Sequence, residues 1–430
     1  MLTVAKRSVI LVLICLLAAG CSNEDSGSSQ AADGKVELDF WTFWGSETRR
    51  PIIEKMIDDY NESQDEVFVK HTYLPWGDIW TKNLASIAAG NPADVIVNDI
   101  NSVAQRAEAN QVTELTDYVE EDYLEQFYPN LAETVLVDEK LYAVPFNTDT
   151  RVLFYNKTAF EEVGLDPEQP PETWAELEEY AQKLDKKNGD RYERIGFYPL
   201  WGSYGADSWM TNADGGNGFI ENGEVTVDTD KKVEALEWVA SWKERYGAQT
   251  IDAFTAEFGS EQANPFINGK VAMWVDVGTF YTQIRDFGNG MDVGVVPIPA
   301  FDESADNWST GGGFVVEVPE GSEHPEEAMD FINYLTGEEA QKYWASENYD
   351  NVANVAGSEA AEEELEGQEK EVFTFLNENL DSTKLYPMPV AYPDYMSQIN
   401  PLIDSVMLGE LEPAEALEQG QAAVENSKRE

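Results

Sequence analysis

The sequence predicts an α/β protein built on a largely parallel sheet, and two observations carry that reading. From Val36 onward, short apolar runs that alternate or continue as strands do take turns with segments whose apolar residues recur at helical spacing. The chain is also long: 430 residues suffice for two to three average domains, each able to bury a core of its own.

The elements follow in order. Val36, Leu38 and Phe40 alternate, and Ile52, Ile53, Met56, Ile57 and Tyr60 repeat at helical spacing behind Pro51, which suits a first helical turn. Val67, Val69, His71 and Tyr73 alternate again. Trp76, Ile79, Trp80, Leu84 and Ile87 make the next helical face, ended at Gly90, and Val95-Ile96-Val97 reads as a buried strand. The sum is a βαβαβ unit, whose ligand crevice belongs at the carboxyl ends of its strands. Thr173-Trp174-Ala175-Glu176 is a capping box that opens a helix with Trp174, Leu177, Tyr180, Ala181 and Leu184 as its buried stripe. Helices are also expected at Asp230–Tyr246 and Glu326–Thr336. Asn268-Gly269 marks a turn before a strand at Val271–Val275, and Val293–Val296 is a strand ahead of Pro297 and Pro299. Acidic stretches such as Glu362-Glu363-Glu364 read as solvated helix faces.

Composition narrows the function. Eighty-two acidic residues against 28 basic ones leave a net charge of −54, which repels phosphate backbones and argues against nucleic acid as a partner. Only two cysteines occur, Cys15 inside an apolar N-terminal run and Cys21 just after it, so the remaining chain has no thiol for a disulfide, a zinc cage or a nucleophile. His71 and His324 stand alone, outside any metal-binding pattern. Neither a metal nor a cofactor is expected.

The N-terminus reads as an address. Lys6 and Arg7 precede an apolar run from Val9 to Ala19, which suits a signal-peptide core and falls short of the ~20 residues a membrane span needs. Leu17-Ala18-Ala19-Gly20-Cys21 resembles the lipobox of bacterial lipoproteins, which implies a signal peptide at 1–20, lipidation of Cys21 and a flexible tether at 21–35. Several acyl chains on one residue suffice for anchoring, at ~0.8 kcal/mol per buried CH₂. The expected location is the outer face of the cytoplasmic membrane. Removing residues 1–20, which carry two cations and no acid, takes the charge from −54 to −56.

Several stretches are similar to the family 1 extracellular solute-binding proteins, the carbohydrate-capturing subunits of bacterial ABC importers, a family that includes maltose-binding protein. They are Phe40-Trp41-Thr42-Phe43-Trp44-Gly45, Ala88-Ala89-Gly90-Asn91-Pro92-Ala93-Asp94-Val95, Tyr142-Ala143-Val144-Pro145-Phe146-Asn147-Thr148-Asp149-Thr150-Arg151, Phe154-Tyr155-Asn156-Lys157 and Pro171-Glu172-Thr173-Trp174. Downstream come Phe266-Ile267-Asn268-Gly269-Lys270-Val271-Ala272-Met273-Trp274, Gly311-Gly312-Gly313 and Ala328-Met329-Asp330-Phe331-Ile332. The resemblance implies a periplasmic-binding-protein-like fold of two α/β lobes, joined by hinge strands and closing over an interlobe cleft. It places lobe 1 at 36–147 plus 300–343 and lobe 2 at 148–299 plus 344–428, with crossings at Asn147-Thr148, Pro299-Ala300 and Tyr343-Trp344. It also implies a monomer that hands its ligand to a membrane permease driven by a separate ATPase.

A sugar offers hydroxyls that donate and accept hydrogen bonds, and C–H faces that pack on flat rings, so its site combines carboxylates and amides with aromatic platforms. Loops after strands supply both kinds here: Trp44, Ser46 and Glu47 after the first strand, Asn98 and Asp99 after Val95–Val97. Asp149 and Arg151 flank the first crossing, where relatives carry a ligand-binding carboxylate, although Arg151 serves equally well as a hinge ion-pair partner. The second lobe is expected to add Trp201 and Tyr204, and Phe280 or Tyr281. Gly312 and Gly313 bring bare backbone to the cleft, and either Tyr392 or Tyr395 supplies a late aromatic. Trp41, Trp80 and Trp174 read as packing residues. Two rivals remain: the same fold holding a non-sugar solute such as a polyamine, a metal ion or phosphorylated glycerol, and a glycoside hydrolase, which pairs two carboxylates beside aromatic platforms.

An excess of surface carboxylates this large fits solubility in saline or alkaline surroundings better than ligand chemistry. Salt should therefore stabilise the protein, because the Debye length shrinks to ~3 Å at 1 M and self-repulsion is muted. The melting temperature is expected to rise between low and molar sodium chloride; a fall would remove this reading of the charge.

Overall fold

The computed structural model describes residues 34–259 and 261–429. The signal peptide, Cys21 and residues 22–33 of the tether lie outside the described residues. No helix among the described residues is long and apolar enough to cross a membrane.

The expected βαβαβ unit opens the fold: β1 (Val36–Thr42), α1 (Arg49–Ser63), β2 (Val67–Tyr73), α2 (Asp78–Ala88) and β3 (Val95–Asp99). β1 lies between the other two strands and pairs with both in parallel, Val36 opposite Val67 and Phe40 opposite Val95. On α1 the buried residues are Ile52, Ile53, Met56, Ile57 and Tyr60, the stripe its spacing predicts. α2 departs from its pattern. It buries Ile79 and Asn83 and leaves Leu84 45 % exposed, with Trp76 just ahead of it 60 % exposed. Its aromatics gather with Phe43 and Phe314 near the carboxyl end of the sheet instead of under the helix; Trp76 lies 4.7 Å from Phe43 and 4.8 Å from Trp80.

Two long strands tie this unit to the rest. β4 (Val144–Asn156) has apolar ends and a polar centre, Asn147-Thr148-Asp149-Thr150-Arg151. Its first half pairs with β7 (Ser309–Glu317) and with β8 (Asn351–Val352); its second half, from Arg151, pairs with β5 (Met273–Val277) and from Leu153 also with β6 (Val293–Val296). β7 in turn runs from β9 (Thr383–Lys384) to β3, with Phe314 opposite Asp99. Each strand thus belongs to both halves of one nine-stranded sheet. The apolar ends of β4 pack into the two halves of one continuous core, and its polar centre lies where the sheet changes partners.

Among the described residues, only β1–β2, β1–β3 and β7–β9 are parallel in this sheet; every pair made by β4 is antiparallel. The expectation of a largely parallel sheet therefore holds for the opening unit alone, because strands that run from one body to the other enter each sheet against its direction. The passages also differ from the expected crossings. β4 changes partners at Thr150-Arg151, three residues beyond Asn147-Thr148. Ala300 still pairs with Thr173 of the second body, and β7 joins β4 at Gly311. Trp344 lies inside the helix Glu338–Asn348 and packs on Trp44 and Phe146 of the first body, whereas the later helix Gly367–Asn379 reaches β6 through Gln368 Nε2, 2.9 Å from the carbonyl of Val293. Motif strings locate elements along the chain but not the body each one packs against.

The crossing is held by buried polar groups that are all engaged, as burial demands. Thr148 Oγ1 donates to the carbonyl of Gly312 at 2.9 Å, and Asn379 Nδ2 donates to Thr150 Oγ1 at 2.8 Å. Gly313 takes φ +149° with the Asn147 carbonyl 2.3 Å from where a Cβ would stand, so no side chain fits there. At the far end of β7, Glu317 is 1 % exposed and pairs with buried Arg106, whose Nε lies 2.9 Å from Oε2; Asn98 Nδ2 donates to the same oxygen at 2.9 Å.

Two predictions follow from these anchors. Glu317→Ala strands a buried guanidinium and should cost about 3–5 kcal/mol in urea unfolding, whereas Glu317→Leu with Arg106→Met should recover most of it; a single-variant loss under 1 kcal/mol would show the pair to be dispensable. Asp350 is fully enclosed and accepts from Asn147 Nδ2 at 2.6 Å and Trp344 Nε1 at 2.9 Å, and burial pushes its carboxyl up to about 6 against the opposing pull of Arg49. A raised folded value favours the fold while the carboxyl is protonated in both states, below about pH 4, and that advantage is lost as pH rises through 6. Relative to Asp350→Asn, the wild-type protein should lose up to about 3 kcal/mol between about pH 4 and pH 7; a pH-independent difference would contradict this.

Candidate functional site

Asp149 and Arg151 are two residues apart on β4 and so share one face of the strand. Arg151 Nη1 binds the Asp149 carboxylate and the carbonyl of Thr310 at 3.2 Å, and Asp149 Oδ1 also accepts the Gly312 amide at 2.9 Å. The side chains are about one-fifth exposed, 18 % and 21 %. Arg151 faces a cavity of about 320 Å³ between the two bodies, with Asn101 from the loop after β3 on one side and Ser203, Asp207, Tyr386 and Tyr395 on the other.

Acids crowd this one guanidinium. Burial pushes the carboxyls of Asp99, Asp207 and Asp276 up, and Arg151 pulls each of them partly back. Asp99 accepts the Asn101 amide at 2.8 Å, and Asp276 accepts Trp274 Nε1 at 2.8 Å and the Val277 amide at 2.9 Å. Burial also raises the Tyr395 phenol to about 12 and the Tyr386 phenol further, so both remain neutral O–H groups. The cavity therefore presents the Asp207 carboxyl, with other acids close by, phenolic and hydroxyl groups, and one cation already paired. That inventory suits a ligand rich in O–H donors, and it is hostile to anions.

The expected site residues divide accordingly. Arg151 and Tyr395 line the cavity and Asp149 and Asp99 lie beside it. Gly312 spends its amide on Asp149, and Gly313 packs on Asn147, so these glycines shape the crossing instead of offering free N–H groups. Asn98 is 3 % exposed and committed to Glu317. Ser46 accepts the Arg49 amide at 3.1 Å in the first turn of α1, and Glu47 lines a separate groove with Arg285 and Asp286. Most of the expected aromatics lie away from this cavity. Trp44 is 1 % exposed and packs in the core at 4.5 Å from Trp344; Trp201 is 6 % exposed among Tyr198, Phe254 and Phe258. Tyr204 packs on Trp209 behind the cavity wall, Phe280 on Phe154, and Tyr281 on Tyr349. Tyr392 is buried away from the cavity under Lys428. Bulky rings in strand-end loops went inward because each body needs large apolar volume next to its sheet.

The family model for bacterial extracellular solute-binding proteins matches residues 44–342, well over half of the chain. The chain belongs to that family. Among curated relatives of this solute-binding protein, the arabinooligosaccharide-binding protein of Bacillus subtilis is 25 % identical over 356 residues, covering 80 % of this chain and 78 % of the relative. The multiple sugar-binding protein of Streptococcus mutans is 24 % identical over 363 residues, 78 % of this chain and 79 % of the relative. Among solved structures, that of CpMnBP1 with mannotriose bound superposes with a TM-score of 0.81 at 26 % identity, covering 91 % of this chain and all of the other. The fold is the two-lobed α/β architecture of such binding proteins.

Several residues of this solute-binding protein's cavity escaped the sequence reading. Ser203 precedes Tyr204 in a loop whose aromatics drew attention first, Asp207 lies in the first turn of the helix Ala206–Ala213 that follows, and Asn101, Thr310 and Tyr386 are ordinary polar residues next to motifs. The exposed ledge of Trp76 with Phe43, Trp80 and Phe314 carried a legible signal: an apolar face at helical spacing that the first lobe does not need. Tyr73, 44 % exposed, lies across Gly45, where a Cβ would meet its ring at 2.2 Å.

Proposed function

We propose that this solute-binding protein captures an oligosaccharide between its lobes and delivers it, unaltered, to an ABC permease. The observation that carries the reading is the interlobe cavity on the Asp149–Arg151 pair, with its carboxylate acceptors, its phenols and an exposed tryptophan ledge nearby. Support comes from the relatives, whose names specify arabinooligosaccharides and multiple sugars, and from mannotriose in the neighbouring structure. Asp149, Asp99, Asp207, Ser203, Tyr386 and Tyr395 would hold hydroxyls, and Trp76 would stack on a ring.

Capture proceeds by closure. The ligand binds one lobe, and rotation about β4 and β7 adds the contacts of the other, so closure is favoured only by the difference in affinity between the two states. The first lobe is assigned 36–150 with 311–364 and the second 151–310 with 367–429, from the strand and helix partners. Lipidation at Cys21 would hold a monomer at the outer membrane face beside its permease. The excess of carboxylates over cations favours one alternative, a polyamine ligand.

A thermal-shift panel separates these readings, because bound ligand stabilises by RT ln(1 + [L]/Kd), about 2.7 kcal/mol at a hundredfold excess over Kd. Mannobiose, mannotriose, arabinooligosaccharides or maltooligosaccharides are expected to raise the melting temperature, with the sugar recovered intact; spermidine alone doing so would favour the polyamine, and cleaved sugar the hydrolase. Trp76→Ala should leave the free protein within about 0.5 kcal/mol of wild type and weaken the active sugar about tenfold. Equal affinity in that variant would remove Trp76 from the site.

A further inference from the structure

A strap of chain, residues 385–394, leads from β9 to the helix Tyr395–Leu408 along the interlobe cavity. Three of its residues, Pro387, Pro389 and Pro393, supply no N–H and bias it toward an extended, stiff backbone. Its root belongs to the second lobe. The Tyr386 hydroxyl donates to the Gly216 carbonyl at 2.9 Å, and its ring lies so close to Gly218 that a Cβ there would stand 2.9 Å from it. Farther along, the Arg429 amide donates to the Ala391 carbonyl at 2.9 Å, and the helix Tyr395–Leu408 packs on the helices Pro413–Asn426 and Asp230–Tyr246.

Two bonds join the strap to the first lobe. The Met388 amide, the N–H that stands between Pro387 and Pro389, donates to the Asn101 carbonyl at 2.7 Å, and Gln105 Nε2 donates to the Pro393 carbonyl at 3.2 Å. Asn101 lines the interlobe cavity from the first lobe, and Tyr386 and Tyr395, at the two ends of the bonded stretch, line it from the second. The bonds therefore tie the cavity's two sides together apart from the β4 and β7 crossings. Met388 also lines a cavity of about 280 Å³ with Trp80 and Leu84 of α2, so this contact is incompletely filled and depends on hydrogen bonds, each of modest net worth. Both bonds break when the lobes part.

We propose that the strap is a latch: through the Met388 amide and the Gln105 side chain it holds the closed lobes together, with the Tyr386 and Tyr395 phenols in the cavity wall, and slows release of the ligand. The inference rests on the reading of capture by lobe closure and assigns Met388 and Gln105 as positioning residues for it.

The first arm of the test needs no ligand. Asn101→Cys with Met388→Cys places a thiol pair across the latch, with Cys15→Ser and Cys21→Ser removing the chain's own two cysteines. Joining the pair by a short bis-maleimide is expected to give a smaller radius of gyration than capping each thiol singly with N-ethylmaleimide; equal radii would overturn the latch. The second arm follows mannotriose release by stopped-flow tryptophan fluorescence. Met388→Pro removes the amide and suits an extended backbone, Gln105→Leu removes the other donor, and Met388→Leu keeps the amide and the bulk. Met388→Pro with Gln105→Leu is expected to release the sugar about five- to tenfold faster at an unchanged association rate, and Met388→Leu to match wild type. An unchanged release rate, or the same acceleration in Met388→Leu, would overturn the proposal. Failure of wild type to bind any sugar of the thermal-shift panel would remove the oligosaccharide reading, and the bridged pair would still decide the latch.

Discussion

The structure depends on two strands that each serve two bodies. β4 must be apolar at both ends to pack into both halves of the core, and its middle, where the sheet changes partners, is polar and yet mostly buried. That middle then has to satisfy its own buried groups, and it does so with Thr148 on Gly312, Thr150 on Asn379, Asn147 on Asp350 and Arg151 on Asp149. The same constraint places a paired charge and a set of hydrogen-bonding side chains between the lobes. The strand that joins the two lobes also lines the cavity between them at Arg151.

Electrostatics around that cavity are lopsided. Arg151 acts on Asp207, Asp276 and, behind Arg106, on Asp99, and its guanidinium is already engaged by Asp149. Buried carboxylates without cations gain most from donors that bring no bulk charge, which is what sugar hydroxyls supply. The net charge of −54 is a separate matter, spread over exposed helix faces, and it bears on solubility and salt response more than on the site.

Much of the fold was legible because periodicity reports burial directly. The α1 stripe, the helix Asp230–Tyr246 and the strand Val293–Val296 appear where their patterns put them. The capping box survives in modified form: Thr173 Oγ1 accepts the Glu176 amide at 3.3 Å, while Glu176 reaches the amide of Glu172, not that of Thr173. The cavity was legible mainly along β4, where local sequence and location coincide at Asp149 and Arg151, and at Tyr395. Elsewhere a loop aromatic looks the same whether it turns inward or outward, and the direction is decided by neighbours far along the chain, as Trp344 decides Trp44. α2 failed in the opposite sense, since its apolar spacing predicts burial and its ring cluster instead faces outward.

The central claim is that the lobes move as two bodies about β4 and β7 and that ligand holds them closed. Small-angle scattering of the protein with and without the sugar that raises its melting temperature most addresses it directly. The account predicts a smaller radius of gyration with sugar, lost when Asp149 is replaced by Ala at the same sugar concentration. A stabilising sugar that leaves the radius of gyration unchanged would contradict it.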